Sequence, residues 1–400
     1  MSVHYLDNAA TTPVRPAAIE TMVPLLSQHY GNPSGAHRMA RDANRVLDEA
    51  REAMAAALGA APGEIVFTAG GTEADNLAVT GVVNHVRATT GRAAVPICSA
   101  VEHHAVLDPV VHHGGDVVAV TGDGAVDLDQ LAELLDRRTG PDGPGVALVS
   151  IMLANNETGV IQPLDRIVDL VRERAPGALV HTDAVQALCW LDVAETAAGA
   201  DLVSVSAHKF GGPKGVGALV VREWPRLSST VLDPLLKGGG QERERRGGTQ
   251  NVAGIAAMAV AASETVAERP TAVPRVAALR NRLADGIRSR LDGVVESGVP
   301  AGTNDRSAKT ANLCHLCFQG IESEALLFLL EKDEIMASAA SSCASGAMEP
   351  SHVLAAMGFE RDLAFGSLRL SLGYDTTDAD VDAALAAVPA AVERLRARGS

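Results

Sequence analysis

The first residue that could carry out covalent chemistry is Lys209. It stands in the segment SVSAHKFGGPKGVG, directly after a predicted strand and in a glycine-rich turn that also contains Ser206 and His208. A lysine in this position is either an ordinary surface charge or an amine that forms a Schiff base with a carbonyl compound. The spacing of these residues alone does not decide between the two, so the surrounding segments must.

Two further segments supply the groups that a Schiff-base lysine needs around it. VHTDAVQ places Asp183 at the end of another predicted strand, and AGGTEADN (69–76) forms a glycine-rich turn that opens a helix. The free N–H groups of such a turn and the positive end of the helix dipole suit a phosphate monoester. An amine, an anion for a pyridinium nitrogen and a phosphate cradle together indicate a pyridoxal 5′-phosphate cofactor.

One cysteine stands in a segment that is typical of a reactive thiol. Cys343 lies within MASAASSCASGAMEPSH, where small polar residues flank it without an apolar periodic pattern. A lone cysteine is usually buried and inert, but an exposed loop favours a thiolate nucleophile. The five cysteines are few, odd in number and scattered, which predicts reduced thiols rather than a secreted disulfide framework.

Two histidine-containing clusters could suggest a metal site. In the segment CHLC, Cys314 and Cys317 point to opposite faces of a predicted strand, and no second ligand pair with suitable spacing follows. A core strand is therefore the favoured interpretation. The second cluster consists of two pairs of adjacent histidines, His103 with His104 and His112 with His113. We predict that the second pair lies in a loop. We predict no metal site.

The elements that must position these residues follow an α/β pattern. Short apolar runs alternate with helix-patterned segments in EIVFTAG, VALVSIML, ALVHTDA, DLVSVSA and GVGALVV, which predicts a mainly parallel sheet flanked by helices. From about Val273 the pattern changes to a long helix, the strand ANLCHLCF and a final helix over 378–396, which indicates a smaller α+β domain. We place the large, cofactor-binding domain at 16–262 and the small domain at 1–15 together with 263–400.

The overall composition excludes some partners. A net charge of −15 argues against an extended nucleic-acid surface, and no run of about 18 apolar residues could cross a membrane. We therefore expect a cytoplasmic protein without membrane or direct nucleic-acid partners. The stretch GGGQERERRGGTQN (238–251) is a glycine- and charge-rich loop, for which a purely solvated role and a functional role are about equally expected from this pattern alone.

Ten segments taken in order resemble the class V aminotransferase family of pyridoxal-phosphate enzymes, and within it the cysteine desulfurases. The resemblance extends from about Tyr5 to Asp382. Any one of these segments is a weak signal, but their order is specific. The segments are YLDNAATTP, GNPSGAH, FTAGGTEADN, EHHAVLD, NNETG, HTDAVQ, SAHKFGGPKG, GGGQERERRGGTQN, SSCASGAMEPSHVL and SLRLSLG.

The resemblance implies a role for each residue of a cofactor site. Lys209 would bind the cofactor covalently, Asp183 would keep the pyridine nitrogen protonated, and Gln186 would contact the ring hydroxyl. His103 would stack on the ring and relay protons, although His104 fits the same motif one register away. The implied phosphate ligands are Gly71, Thr72, Ser206 and His208, with Thr249 donated by the other subunit of a homodimer.

The resemblance also implies the reaction. Asn155 and Arg369 would grip the carboxylate of L-cysteine, and Cys343 would take its sulfur as a persulfide while L-alanine leaves. The persulfide would then pass to a protein acceptor that the sequence does not identify, for iron–sulfur clusters, tRNA or DNA thiolation, or a natural product. Ala340 and Ser342 replace a Gly and an Ala that are common in this loop, which puts the rate of transfer in question.

Three other interpretations stay open from the sequence. A selenocysteine lyase or an aminotransferase would use the same scaffold, but Cys343 in its long loop argues against both. A sulfur-relay or assembly subunit with a decayed cofactor site would act only by binding partners. The intact set of Thr72, Asp183 and Lys209 argues against that.

Overall fold

The computed structural model describes residues 3–140, 143–223, 231–339 and 350–399, with only the backbone for residues 398–399. The strands are β1 (His4–Tyr5), β2 (Ile65–Thr68), β3 (Val95–Ser99), β4 (Asp116–Val118), β5 (Val146–Ser150), β6 (Leu179–Asp183), β7 (Leu202–Ser206), β8 (Gly217–Val221), β9 (Val294–Glu296), β10 (Leu313–Phe318), β11 (Ile335–Met336) and β12 (Ser367–Ser371). The helices are α1 (Pro16–Ser27), α2 (Arg38–Leu58), α3 (Gly71–Asn76), α4 (Val82–Thr90), α5 (His104–His112), α6 (Leu128–Thr139), α7 (Leu164–Arg174), α8 (Val193–Thr196), α9 (Val252–Arg288), α10 (Ser323–Lys332), α11 (His352–Ala356), α12 (Arg361–Ala364) and α13 (Asp378–Gly399).

The large sheet has seven strands in the order β2, β8, β7, β6, β5, β3, β4. The pairs from β7 to β4 are parallel, and β8 runs antiparallel to both of its neighbours. In β5, Leu148 packs into the apolar cluster on one face of the sheet and Val149 into the cluster on the other. Burial on both faces explains why these strands are continuous apolar runs. The predicted mainly parallel α/β fold is confirmed.

Helices cover both faces of this sheet. α2, α6 and α7 contribute to one cluster, while α4 and α5 contribute to the other. α3 continues through a short π-helical segment (Leu77–Gly81) into α4, so a single helical rod begins at the glycine-rich turn of β2. The carboxyl ends of β5, β6 and β7 lie at one edge of the sheet, and parallel α/β sheets bind their ligands at that edge.

The small domain is a three-stranded antiparallel sheet in the order β12, β10, β9, packed against α9, α10 and α13. Near the start of the chain, β1 pairs in parallel with β11. The helix expected from about Val273 instead begins at Val252 and runs unbroken across the proposed boundary at 262/263, with Pro270 and Pro274 inside it. The start of that helix was therefore predicted wrongly, and the domain boundaries stay a prediction.

β10 carries the CHLC segment as a core strand. Cys314 packs in the small-domain cluster, whereas Cys317 packs with Leu354 and Ala364 in a separate cluster. The two thiols therefore lie on opposite faces of the strand, as expected. His112 is the last residue of α5, so that pair of histidines lies at a helix end rather than in a loop. Within the described residues, no helix is both long and apolar enough to cross a bilayer.

Candidate functional site

A cavity of about 370 Å³ opens at the carboxyl edge of the large sheet. Both domains contribute to its wall. Nine residues predicted from the sequence line it: Gly71, Thr72, His103, Asp183, Gln186, Ser206, His208, Lys209 and Arg369. The other lining residues are Ala9, Ala10, Asp75, Met152, Asn156 and Val185.

Lys209 lies at the end of a short 3-10 helix that follows β7. Its Nζ donates hydrogen bonds to the carbonyl oxygens of Ala9, at 2.6 Å, and Ala10, at 2.9 Å. Burial, together with the nearby charge of Arg369, lowers the pKa of Lys209 to about 8. A lysine tuned in this way holds a useful fraction of neutral amine near pH 7, which is the form that attacks carbonyl carbon.

Asp183 ends β6 and is buried at the floor of the cavity. Its Oδ1 accepts a hydrogen bond from the Val185 N–H at 2.8 Å. Burial raises the pKa of Asp183, and the neighbouring charges of His103 and Lys209 act against that rise. A carboxyl group in this setting favours a cationic partner, because a nearby positive charge stabilises its ionised form.

The turn after β2 is packed tightly at Gly71, where a Cβ would force a neighbouring side chain to move. A Cβ on Gly71 would lie 2.8 Å from Cγ2 of Val185 and 3.3 Å from Cβ of Ser206. The backbone therefore packs closely against these two side chains at the point where the α3–α4 rod begins. Thr72 and His208 line the same part of the wall, and burial lowers the pKa of His208 to about 4, so its ring is neutral at pH 7. This combination of N–H groups and neutral donors suits a phosphate.

The two adjacent histidines have different surroundings. The ring of His103 lines the cavity, and its Nδ1 accepts the N–H of Ala105 at 3.1 Å, which caps α5. Its Nε2 therefore carries the proton of the neutral ring. His104 does not line the cavity, since its Nδ1 lies 3.0 Å from Asp108 and its ring 4.9 Å from that of His352. The arrangement thus favours His103 over His104 for a role in the cavity.

Arg369 reaches the cavity from β12 of the small domain. Its Nη1 donates to the carbonyl oxygen of Asn156 at 3.0 Å, and its Nη2 pairs with Oδ1 of Asp7 at 2.9 Å. Its Nε is buried and has no hydrogen-bond partner among the described residues. A buried guanidinium with an open donor is suited to a carboxylate ligand.

Asn155 lies behind the cavity wall rather than in it. Its Oδ1 accepts the N–H groups of Glu157 and Thr158 at 2.9 Å each, and its Nδ2 donates to the carbonyl oxygen of Val101 at 2.9 Å. These bonds shape the turn that presents Asn156 to the cavity. The predicted contact of Asn155 with a substrate carboxylate stays a prediction, and it would require this turn to rearrange.

Thr249 also lies outside the cavity. It is exposed in the loop 238–251, beside a smaller pocket that Gly215 and Arg246 also line. The loop is not purely solvated, because the buried side chain of Glu242 accepts two hydrogen bonds from Arg51 at 2.9 Å each. Cys343, with Ala340 and Ser342, falls outside the residues that the structure describes.

Two buried acids behind Asp183 were not predicted from the sequence. Asp75 lines the cavity from α3, and burial together with the charge of Asp183 raises its pKa well above the ordinary value. Burial likewise raises the pKa of Glu102 to about 8; its Oε1 accepts hydrogen bonds from Ser99 and Met152. The apolar neighbours of Asp75 in TEADNLAV could have indicated its burial. The sequence around Glu102 carries no comparable signal.

The chain is similar to proteins of one family over nearly its whole length. The aminotransferase class-V family model matches residues 4–384. An IscS-like cysteine desulfurase of Mycobacterium tuberculosis is 44% identical over 98% of this chain and 97% of its own length. A solved NifS-like protein superposes with a TM-score of 0.86 at 34% identity, covering 98% of this chain and all of the other. A solved structure of SspA in complex with cysteine gives a TM-score of 0.74 at 30% identity, covering 92% of this chain and 98% of the other.

Proposed function

Because the chain belongs to the aminotransferase class-V family, we propose that it is a pyridoxal-phosphate-dependent cysteine desulfurase, which converts L-cysteine to L-alanine. One observation supports this most strongly. A single cavity brings together a lysine of lowered pKa, a buried aspartate, a glycine cradle and an arginine with an open donor. In that order, these groups would supply the amine for the cofactor, pair with its ring nitrogen, hold its phosphate and bind the substrate carboxylate.

The residues present fit pyridoxal 5′-phosphate. Gly71, which has no room for a Cβ, would offer backbone N–H groups to the phosphate, aided by the side chains of Thr72, Ser206 and His208. Asp183 would hold a proton on the ring nitrogen, and Gln186 would face the ring hydroxyl. When bound, the cofactor supplies an electron-withdrawing ring that acidifies the Cα–H bond of an attached amino acid.

Lys209 would hold the cofactor through its amine and, once released, serve as the base that removes the Cα proton. Its pKa of about 8 suits both tasks near neutral pH. His103, which lines the cavity, would cover the ring and return a proton from its Nε2. Arg369 would orient the substrate by its carboxylate, and Cys343, as a thiolate, would receive the sulfur as a persulfide.

We further propose how the protein assembles and where its sulfur goes. Thr249, exposed on its loop, would complete the phosphate site of a second copy in a homodimer. The persulfide on Cys343 would pass to a protein acceptor, and the chain would work in the cytoplasm. The relatives' names support the desulfurase activity, but they do not indicate which acceptor this chain serves.

The proposed function can be tested with purified holoenzyme and three substrates. In a single turnover, L-cysteine should give L-alanine and protein-bound sulfur in equal amounts without a 2-oxo acid. A requirement for a 2-oxo acid acceptor would instead identify an aminotransferase. Turnover of L-selenocysteine together with no turnover of L-cysteine would identify a selenocysteine lyase. Absence of covalently bound cofactor would leave only a binding role.

A further inference from the structure

Asp7 occupies one side of the Arg369 guanidinium in the cavity wall. Its Oδ1 lies 2.9 Å from Nη2 of Arg369, and the two side chains differ in exposure, at 23% for the aspartate and 7% for the arginine. The arginine is thus fixed in the wall, while the aspartate has access to solvent. Glu157, a second acid near this arginine, accepts a hydrogen bond from Ser351 instead.

The three nitrogen atoms of the Arg369 guanidinium differ in their hydrogen-bond partners. Nη1 is held by the carbonyl oxygen of Asn156, Nη2 by Asp7, and the buried Nε has no partner among the described residues. A carboxylate that binds an arginine with two hydrogen bonds can take the Nε and Nη2 side of the fork. One of those two donors is the one that Asp7 now uses.

We propose that Asp7 is a specificity-determining residue, whose carboxylate competes with the substrate carboxylate for Arg369 and must be displaced when an α-amino acid binds. This inference rests on the proposed role of Arg369 in binding that carboxylate. The displaced side chain turns to solvent, and the substrate takes Nε and Nη2. An amine without a carboxylate gains no binding energy from Arg369, because it cannot replace the Asp7 carboxylate there.

The backbone that follows Asp7 also contacts Lys209. The carbonyl oxygens of Ala9 and Ala10, two and three residues later, accept the hydrogen bonds of Lys209 Nζ, and Gln186 Nε2 also donates to Ala9 at 2.7 Å. Asp7 and the two acceptors of the lysine amine therefore lie on one short segment of the cavity wall.

The substitution Asp7→Asn isolates the charge of this residue, because the segment is anchored independently of its side chain. The N–H of Leu6 donates to Met336, and the N–H of Asn8 donates to Ser371. Asn has nearly the shape of Asp but is neutral. If Asp7 competes, the variant should bind an amino acid more tightly. If Asp7 only positions Arg369, the variant should bind it more weakly.

The test measures dissociation constants of L-alanine and of ethylamine, which lacks the carboxylate, by calorimetry on holoenzymes. Asp7→Asn should tighten L-alanine binding by roughly fivefold or more and leave ethylamine unchanged. In the matched control Asp382→Asn, which breaks an exposed pair with Arg282, both constants should match those of the original protein. The KM for L-cysteine should fall in Asp7→Asn alone.

The outcomes separate the two levels of the account. Unchanged or weaker L-alanine binding in Asp7→Asn overturns the role of Asp7 while leaving the proposed function intact. Equal tightening of ethylamine also overturns it, since that would be a general effect of charge. If the original protein binds L-alanine no more tightly than ethylamine, the proposed role of Arg369 in binding the carboxylate is itself wrong.

Discussion

Ser338 and Arg369 form an isolated antiparallel bridge in which both backbone hydrogen bonds are made, at 2.7 and 3.2 Å. Ser338 lies five residues before Cys343 in the sequence, and the hydroxyl of Ser367 donates to the carbonyl oxygen of Ala339 at 2.8 Å. The strand that carries Arg369, the proposed substrate-binding arginine, therefore also anchors the segment that precedes Cys343, the proposed sulfur acceptor.

This anchor leads to the first prediction. Ser367→Ala removes the hydroxyl that holds Ala339, at a cost of about 1 kcal/mol for one hydrogen bond. Persulfide formation should slow by roughly fivefold in single-turnover experiments, while the affinity for L-alanine stays unchanged, because Arg369 keeps its side-chain contacts. Ser263→Ala, which removes a hydroxyl bonded within α9, is the control. A loss of L-alanine affinity in Ser367→Ala would show that the two functions are not separable here.

The second prediction concerns Lys209, whose amine we propose to hold the cofactor. Lys209→Ala should lower turnover of L-cysteine by more than about 100-fold, because the buried amine of lowered pKa is lost. Borohydride reduction followed by peptide mapping should find the cofactor on Lys209 in the original protein and on no peptide of the variant. Lys214, the nearest other lysine in the turn, provides the control Lys214→Ala. A reducible adduct that persists in Lys209→Ala would contradict the assignment.

The third prediction follows from the buried carboxyl of Glu102. Its pKa of about 8 in the folded protein exceeds the value of an exposed glutamate, so the folded state binds its proton more tightly than the unfolded state. The free energy of unfolding should therefore fall as the pH rises from the exposed value toward about 8. Glu102→Gln keeps the acceptor oxygen for Ser99 and Met152 but removes the charge.

Urea unfolding at two pH values can measure this effect. Glu102→Gln should match the original protein near pH ~5 and be more stable by roughly 1–4 kcal/mol near pH ~9. Asp75 and Asp183 also have raised pKa values and remain in the variant, so part of the slope should persist. The exposed Glu20→Gln is the control. Parallel pH profiles for Glu102→Gln and the original protein would rule out a buried, protonated Glu102.

The fourth prediction tests the proposed exchange of Thr249 between subunits. If Thr249 completes the phosphate site of a partner, cofactor binding and dimerisation are coupled by mass action. Dilution of the holoenzyme should release cofactor and monomer together, as followed by absorbance and analytical ultracentrifugation. Thr249→Ala should weaken both several-fold, whereas Thr89→Ala, an exposed threonine on α4, should change neither. A monomer that retains stoichiometric cofactor at low concentration would refute the exchange.

The site residues that could best be predicted from the sequence are those that lie at the end of a strand or shortly after it. Asp183 and Lys209 could be predicted because each comes just after a buried apolar run, and parallel strands carry such residues to one edge of the sheet. Gly71 could be predicted because a glycine-rich turn opens a helix. In each case the local pattern indicates where the residue lies along its element, while its role in the site also needed the surrounding segments.

Other features of the cavity depend on tertiary contacts that no local pattern contains. Asn155 and Asn156 are neighbours of the same type, and only the hydrogen bonds of the turn decide that the second one faces the cavity. The contacts of Lys209 are carbonyl oxygens of Ala9 and Ala10, which any residue would offer. The start of α9 was missed because Pro270 and Pro274 do not interrupt the helix.

Peptide mapping of the holoenzyme, after L-cysteine is added without reductant, tests most directly whether this chain is a desulfurase that works through Cys343. One additional sulfur atom should appear on Cys343, and Cys343→Ser should bind L-cysteine but release almost no L-alanine, since a hydroxyl is a poor nucleophile toward sulfur. The four other thiols should stay unmodified, because burial raises the pKa of Cys98, Cys189, Cys314 and Cys317. Near-normal L-alanine release from Cys343→Ser, or sulfur on one of those four, would contradict the account.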